Sequence, residues 1–247
     1  MLLKKKPISS YYYHLSLSLP FALILASSTA LAQTPSSNNN YNWTGAYVGA
    51  GGGLGAWIGN SAVDSYGVAV TANQMQGGRG GFGTIILGYD YQFNNSIVAG
   101  AFIDGDLGRL DGNMAFPGFV GTLTESTGWG LGARLGWLIN PTVLPYLIGA
   151  YSQARYSNVN LNFANAGGVF SGLTTPAFIS NGWFLGGGME AKLNAHFSLR
   201  GEYRWASYGT QTLPFNGAVA GVAIGGSATQ PFNSTIQTFR AVVAYKF

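Results

Sequence analysis

Few side chains in this chain can do chemistry. Its 247 residues hold 12 Lys and Arg, 8 Asp and Glu, 2 His and no Cys. Without Cys there is no disulfide and no thiolate site for zinc or an iron–sulfur cluster. His196 is the one histidine after residue 32. It closes the turn-forming stretch Asn194-Ala195-His196, opposite the long connections where a substrate would arrive. A catalytic base must reach its nucleophile within hydrogen-bond distance, so His196 is read as a turn residue. Asp104-Gly105-Asp106 opens like a calcium loop, but Gly108, Arg109 and Ala115 stand where further ligands and the turn glycine are needed. Gly49 to Gly55 has no following Lys-Ser/Thr and no helical continuation, which excludes a phosphate loop. Glu190 and Glu202 could suggest a glycosidase pair. Lys192, Arg200 and Arg204 lie beside them, so ion pairing is the better reading. No catalytic residue, metal or cofactor is expected.

The first 32 residues have an export layout. Lys4, Lys5 and Lys6 precede the apolar stretch from Leu15 to Ser28, and Ala30-Leu31-Ala32 is a small-x-small site before Gln33. That is a signal peptide over 1–32, cleaved between Ala32 and Gln33. Pro20 and the short apolar core argue against a membrane anchor. Removing three Lys leaves 12 − 3 = 9 basic against 8 acidic residues, so the sequence pI of about 9.3 belongs largely to the tag. An argument for nucleic acid or another anionic partner goes with it. Residues 33–42 are polar and aperiodic, a flexible lead-in.

Only 8% of the chain is charged, while 47% is hydrophobic and 38 residues are Gly. Disordered chains show the opposite balance. After the export segment no run of about 20 apolar residues exists, so no transmembrane helix is expected. Instead, segments of about 11 residues alternate with period 2, as in tilted membrane strands. Eight are read: Thr44–Trp57, Gly81–Phe93, Ile97–Leu107, Thr127–Ile139, Leu144–Ala154, Gly182–Leu193, Phe197–Tyr208 and Thr235–Phe247. The turns at 94–96, 140–143 and 194–196 are short. The segments near 58–80, 108–126, 155–181 and 209–234 are long and read as loops. The expected fold is therefore all-β: an eight-stranded antiparallel transmembrane β-barrel over 43–247, with short periplasmic turns and four long extracellular loops.

Strand phase says where the charges point. Phe239, Ala241, Val243, Tyr245 and Phe247 share one face, and Arg240 and Lys246 the other. Leu199, Tyr203 and Trp205 oppose Arg200, Glu202 and Arg204. Leu185, Met189 and Leu193 oppose Glu190 and Lys192. Trp129, Leu131, Leu135 and Trp137 oppose Arg134, and Asp104 and Asp106 share a face. A Lys or Arg on the lipid face costs about 2–4 kcal/mol at mid-bilayer. Asp90, Asp104, Asp106, Arg134, Glu190, Lys192, Arg200, Glu202, Arg204, Arg240 and Lys246 are therefore expected inside, paired in a filled lumen. Inward glycines such as Gly49, Gly51, Gly53, Gly55, Gly186 and Gly188 would make room for them. Trp43, Tyr47, Trp57, Tyr91, Trp137, Tyr146, Trp183 and Tyr245 are read as interfacial girdles.

Four stretches resemble one family. They are Trp43-Thr44-Gly45-Ala46-Tyr47-Val48-Gly49; Arg134-Leu135-Gly136-Trp137 with Leu144-Pro145-Tyr146; Gly182-Trp183 through Glu190 with Leu199 to Trp205; and the terminal Tyr245-Lys246-Phe247. Together they are similar to the small outer-membrane immunogenic proteins of the porin-family, OmpA-like β-barrel group of Gram-negative bacteria. The resemblance covers nearly all strands and none of the loops. It implies an outer-membrane location among lipid and lipopolysaccharide. It also implies delivery by the barrel-assembly machinery, which reads a terminal aromatic, here Phe247. Phe102 departs from the family, which often has an inward Glu there.

Loops carry function in such scaffolds. Residues 209–234 hold no charge and 155–181 only Arg155. That argues against heparin, nucleic acid or haem propionates, which need charged partners. The leading reading is a non-enzymatic, surface-exposed structural barrel. A small solute-passing porin and a loop-borne adhesin or ligand-binding barrel are the alternatives.

Overall fold

The computed structural model describes residues 42–247, apart from 66–67, 94–95, 117–118, 164–168, 220–221 and 224–228. The export segment 1–32, its Ala32/Gln33 boundary and the lead-in up to residue 41 lie outside the described residues. Eight long strands form a closed antiparallel ring: β1 (Gly45–Ser65), β2 (Val68–Gln92), β3 (Ile97–Phe116), β4 (Phe119–Trp137), β5 (Val143–Tyr156), β8 (Phe178–Lys192), β9 (Phe197–Pro214) and β12 (Thr229–Lys246). Each pairs with its chain neighbour in the ring, and β12 returns to β1 with Tyr47 opposite Lys246. β6 (Val159–Phe163), β7 (Phe170–Thr175), β10 (Asn216–Val219) and β11 (Val222–Ala223) extend the sheet at the end away from the tight turns.

The turns form because Asn side chains cap them. Asn140 Oδ1 accepts from Thr142 N at 2.9 Å, and Asn194 Oδ1 accepts from the N–H groups of His196 and Phe197 at 2.9 and 2.8 Å. Such local bonds let Asn replace a backbone turn partner.

Period-2 alternation puts one apolar row outside. Leu54, Leu87, Leu131, Leu135, Leu147, Leu185 and Val243 are all exposed. A soluble surface would not tolerate so continuous a large apolar band, whereas lipid does. Trp129, Tyr151, Trp183 and Trp205 bound the band at one end and Tyr91, Trp137, Phe197 and Tyr245 at the other, all facing out or half-buried.

Two expectations are corrected. Residues 58–80 and 108–126 are mostly ladder rather than loop. Ile58 to Ser61 pair with Gln74 to Gly77, and Leu110 to Phe116 pair with Phe119 to Glu125. The alternation simply continues past the lipid band, with Leu110, Met114 and Leu123 buried inside. Segments 155–181 and 209–234 likewise contain β6, β7, β10 and the far ends of β8, β9 and β12. Second, Trp43, Tyr47, Trp57 and Tyr146 are not girdle residues. They face inward and are 0–2% exposed. Inward glycines on neighbouring strands make room for them, Gly88 for the Tyr47 ring, Gly78 and Gly112 for the Trp57 indole, and Gly188 for Tyr146.

Beyond the outer aromatic row the barrel has an apolar core. Trp57 makes edge contacts with Tyr156 and Phe232 at 6.3 Å, and its Nε1 donates to Leu110 O at 2.9 Å. Buried indole and phenol rings need such polar partners.

Candidate functional site

The lumen holds the charged side chains at two levels. At the level nearer the tight turns, Arg134 of β4 grips Asp90 of β2. Its Nε donates to Oδ1 at 2.8 Å and Nη2 to Oδ2 at 2.6 Å. Its Nη1 donates to Glu190 Oε2 on β8 at 2.7 Å. Arg200 Nε lies 2.9 Å from the same Glu190 oxygen, and Ser198 Oγ donates to the other at 2.5 Å. Lys246 Nζ donates to Asp90 Oδ2 at 2.8 Å and to Trp43 O. Aromatic faces sandwich the cations: the Arg134 guanidinium lies 5.2 and 5.1 Å from the Tyr47 and Tyr146 ring centres, and Arg200 4.1 Å from Tyr47. Such contacts strengthen when desolvated.

At the second level two guanidiniums share two carboxylates. Arg204 Nη2 and Arg240 Nη2 both donate to Asp104 Oδ2, at 2.5 and 2.8 Å. Their Nε atoms both donate to Glu202 Oε1, at 2.5 and 2.8 Å. Arg240 Nη1 donates to Thr84 at 3.0 Å and lies 3.5 Å from Asp106. Tyr146 joins the levels, donating to Glu202 Oε2 at 2.9 Å. Phe102, where the family often has Glu, packs 6.3 Å from Phe184, and Arg204 sits 4.1 Å over Phe184.

Inward glycines supply the space. A Cβ on Gly53 would stand 2.9 Å from Arg240 Cβ, and one on Gly130 would stand 3.0 Å from Asp104 Oδ1. Both are closer than ordinary packing allows.

Lys192 is placed differently from the expectation. It is half-buried at the tight-turn mouth, on the rim of the level that holds Asp90 and Glu190. It donates to Asn42 O at 2.8 Å, with its ammonium 4.9 Å from the Trp43 ring centre. Trp43 seals that mouth, donating from Nε1 to Pro141 O at 3.1 Å and packing on Val98 and Leu144. His196 lies beside the same mouth, its ring stacked on Tyr245 at 5.4 Å and its Nδ1 3.0 Å from Lys246 O. Phe247 is exposed, packs edge-on against Tyr245, and its N–H donates to Ala46 O at 3.0 Å.

One acid was not anticipated. Glu125 lies four residues beyond Trp129, outside the lipid band, yet it is buried. Opposite β5 the register slips, with Thr127 facing Arg155 but Glu125 facing Tyr156. Ser126 is the extra residue, and such a bulge re-aims the side chains beyond it. Burial, with Asp106 nearby, pushes the Glu125 carboxyl up to about 7. It lines a cavity of about 50 Å³ with Asp106, Ser152, Phe184 and Tyr208. The sequence held a signal for this. The inward positions of β4 are even at Gly130, Gly132 and Arg134 but odd at Leu123 and Glu125.

Comparison with known proteins agrees with this architecture. A family model described as outer membrane protein beta-barrel domain matches residues 20–247. The 25 kDa outer-membrane immunogenic protein of Brucella melitensis is 29% identical over 213 residues, covering 84% of this chain and 80% of that protein. The 31 kDa outer-membrane immunogenic protein of the same organism is 27% identical over 191 residues, covering 74% and 78%. Among solved structures, the outer membrane protein OprG of Pseudomonas aeruginosa superposes with TM-score 0.56 at 13% identity, covering 84% of this chain and 98% of that one. That likeness concerns the fold.

Proposed function

Since this chain belongs to the outer membrane protein β-barrel family, we propose that it is a non-enzymatic, surface-exposed structural barrel whose lumen passes no solute. The observation that carries this reading is the pair of ion-paired levels. Arg134, Arg200, Lys246, Asp90 and Glu190 cross one level, and Arg204, Arg240, Asp104 and Glu202 the next. An eight-stranded interior is only wide enough for such side chains to fill it. Each charged group of these two levels is held by others, so none of them is a general acid or base poised near a nucleophile. Trp43 adds a third obstruction at the periplasmic mouth.

Outward, the apolar band and its aromatic rows suit outer-membrane lipid and lipopolysaccharide. Phe247, terminal and in phase with the lipid face, suits the aromatic signal read by the barrel-assembly machinery. The immunogenic relatives support exposure of the far-end strands to the outside.

Planar-bilayer recording on the refolded barrel tests the closed lumen. Silent bilayers from protein that shows the heat-dependent gel shift of a folded barrel are expected. Stable single-channel steps, altered by Arg134→Ala or Glu190→Ala, would establish the small-porin reading instead.

A further inference from the structure

Among the described residues, the two ion-paired levels balance, and one lumenal acid stands outside them. Five acids (Asp90, Asp104, Asp106, Glu190, Glu202) pair with five bases (Arg134, Arg200, Arg204, Arg240, Lys246). Glu125 is a sixth acid pointing in. It is 9% exposed, and no hydrogen bond or ion pair from a described residue reaches its carboxylate. The remaining bases are elsewhere: Arg79, Arg109 and Arg155 face outward and Lys192 sits at the opposite mouth. A buried carboxylate needs a countercharge or a proton.

The surroundings favour a countercharge. Asp106 lines the same cavity, where Arg204 is a cationic neighbour already bound to Asp104 and Glu202, and its contact with Arg240 is a long 3.5 Å. Its side chain is 27% exposed, so it has oxygen to spare. Ser152 Oγ and Tyr208 OH, 2.9 Å apart, add neutral oxygens to the wall. There is no nitrogen or sulfur ligand. Oxygen-only sets select hard cations. Among the described residues no group of three or more acidic, His or Cys side chains is placed to hold a metal ion, so water must complete any shell. A cavity of about 50 Å³ has room for an ion with some water. The lining extends along β4 through Ser126 and Gly128 to Trp129.

We propose that Glu125 and Asp106, with Ser152 and Tyr208, hold a hard, partly hydrated divalent cation of the calcium type at the outer end of the lumen. The bulge at Ser126 is what builds the site. Without the extra residue, Glu125 would point outward and the cavity would keep only Asp106. Flexible, water-rich oxygen shells suit Ca²⁺ better than Mg²⁺, which demands near-ideal octahedral geometry.

Terbium luminescence tests this, because Tb³⁺ takes calcium-type oxygen sites and can be excited through Trp129 and Tyr208. The full barrel is refolded in a nonionic detergent free of lipopolysaccharide, which itself binds divalent ions. Saturable emission is expected, displaced by Ca²⁺ at lower concentration than by Mg²⁺. Glu125→Gln should weaken Tb³⁺ binding by about tenfold or more, since ligand charge sets affinity in such sites. Asp111→Asn, at the surface acid beside Arg109, should leave it unchanged. Glu125 holds no partner, so Glu125→Gln should keep the heat-dependent gel shift of the folded barrel. Absence of saturable emission from the wild type would overturn the site and leave Glu125 neutralised by a proton. Emission in Glu125→Gln equal to wild type would also overturn it.

Discussion

Arg134 and Glu190 meet at 2.7 Å across the lumen, although β5 stands between their strands. The same guanidinium reaches Asp90 on β2, with β3 between. One side chain thus braces three strands that share no backbone hydrogen bonds. Contacts of this kind report on the closed barrel, not on any hairpin.

Arg134→Ala should therefore destabilise the barrel by about 3–5 kcal/mol, because Asp90 and Glu190 lose three charge-assisted hydrogen bonds in a buried level and keep only Lys246 and Arg200 as countercharges. Arg134→Leu combined with Asp90→Asn and Glu190→Gln should not recover that loss, because it leaves the buried Lys246 and Arg200 without their carboxylates. Urea unfolding in micelles measures both. A cost below about 1 kcal/mol for Arg134→Ala would show that water enters this level freely.

Asp104 carries two guanidiniums on one oxygen. Its loss should cost less once Arg204 is already absent. A double-mutant cycle between Asp104→Ala and Arg204→Ala should give a coupling of about 1–3 kcal/mol. Additive effects would mean the shared contact contributes nothing.

Trp43 and Trp137 are both tryptophans near the periplasmic end, but one plugs the lumen and the other faces lipid. Trp43→Ala should cost about 3–5 kcal/mol as a large buried ring is removed. Trp137→Ala should cost clearly less. Equal losses in equilibrium unfolding would return Trp43 to the girdle.

Phe247→Ala keeps the terminal N–H bond to Ala46 and removes only the ring. The fraction inserted in cells should fall while refolding of purified protein in detergent stays close to wild type. Normal insertion in cells would reduce Phe247 to one more lipid-facing aromatic.

Strand phase made much of this legible. An Arg or Glu opposite a lipid-facing row has one low-cost direction, so the inward set could be named without coordinates. Partners could not. Arg134 reaches β2 and β8 only because the ring closes, and closure is a property of all eight strands together. The girdle aromatics failed where the rule is weakest. Trp43 and Trp57 lie near the ends of the first lipid-spanning segment, but parity sends them to the glycine face, and parity outweighs position. β1 to β4 run longer than the membrane-length segments of the sequence suggest, because pairing does not stop at the membrane thickness. The apolar alternation of Leu110, Met114 and Leu123 continues in water because the barrel has a second, oily core there. Glu125 was hidden by one bulge, since a single inserted residue reverses the facing of everything beyond it.

The continued ladders also change what an antibody would meet. Above the membrane the chain presents paired strands, with Arg79 of β2 standing directly opposite Asp111 of β3. Neighbours on that face come from different parts of the chain. Any epitope there would be discontinuous, and a linear peptide cut from 58–80 or 108–126 would reproduce the letters without the surface.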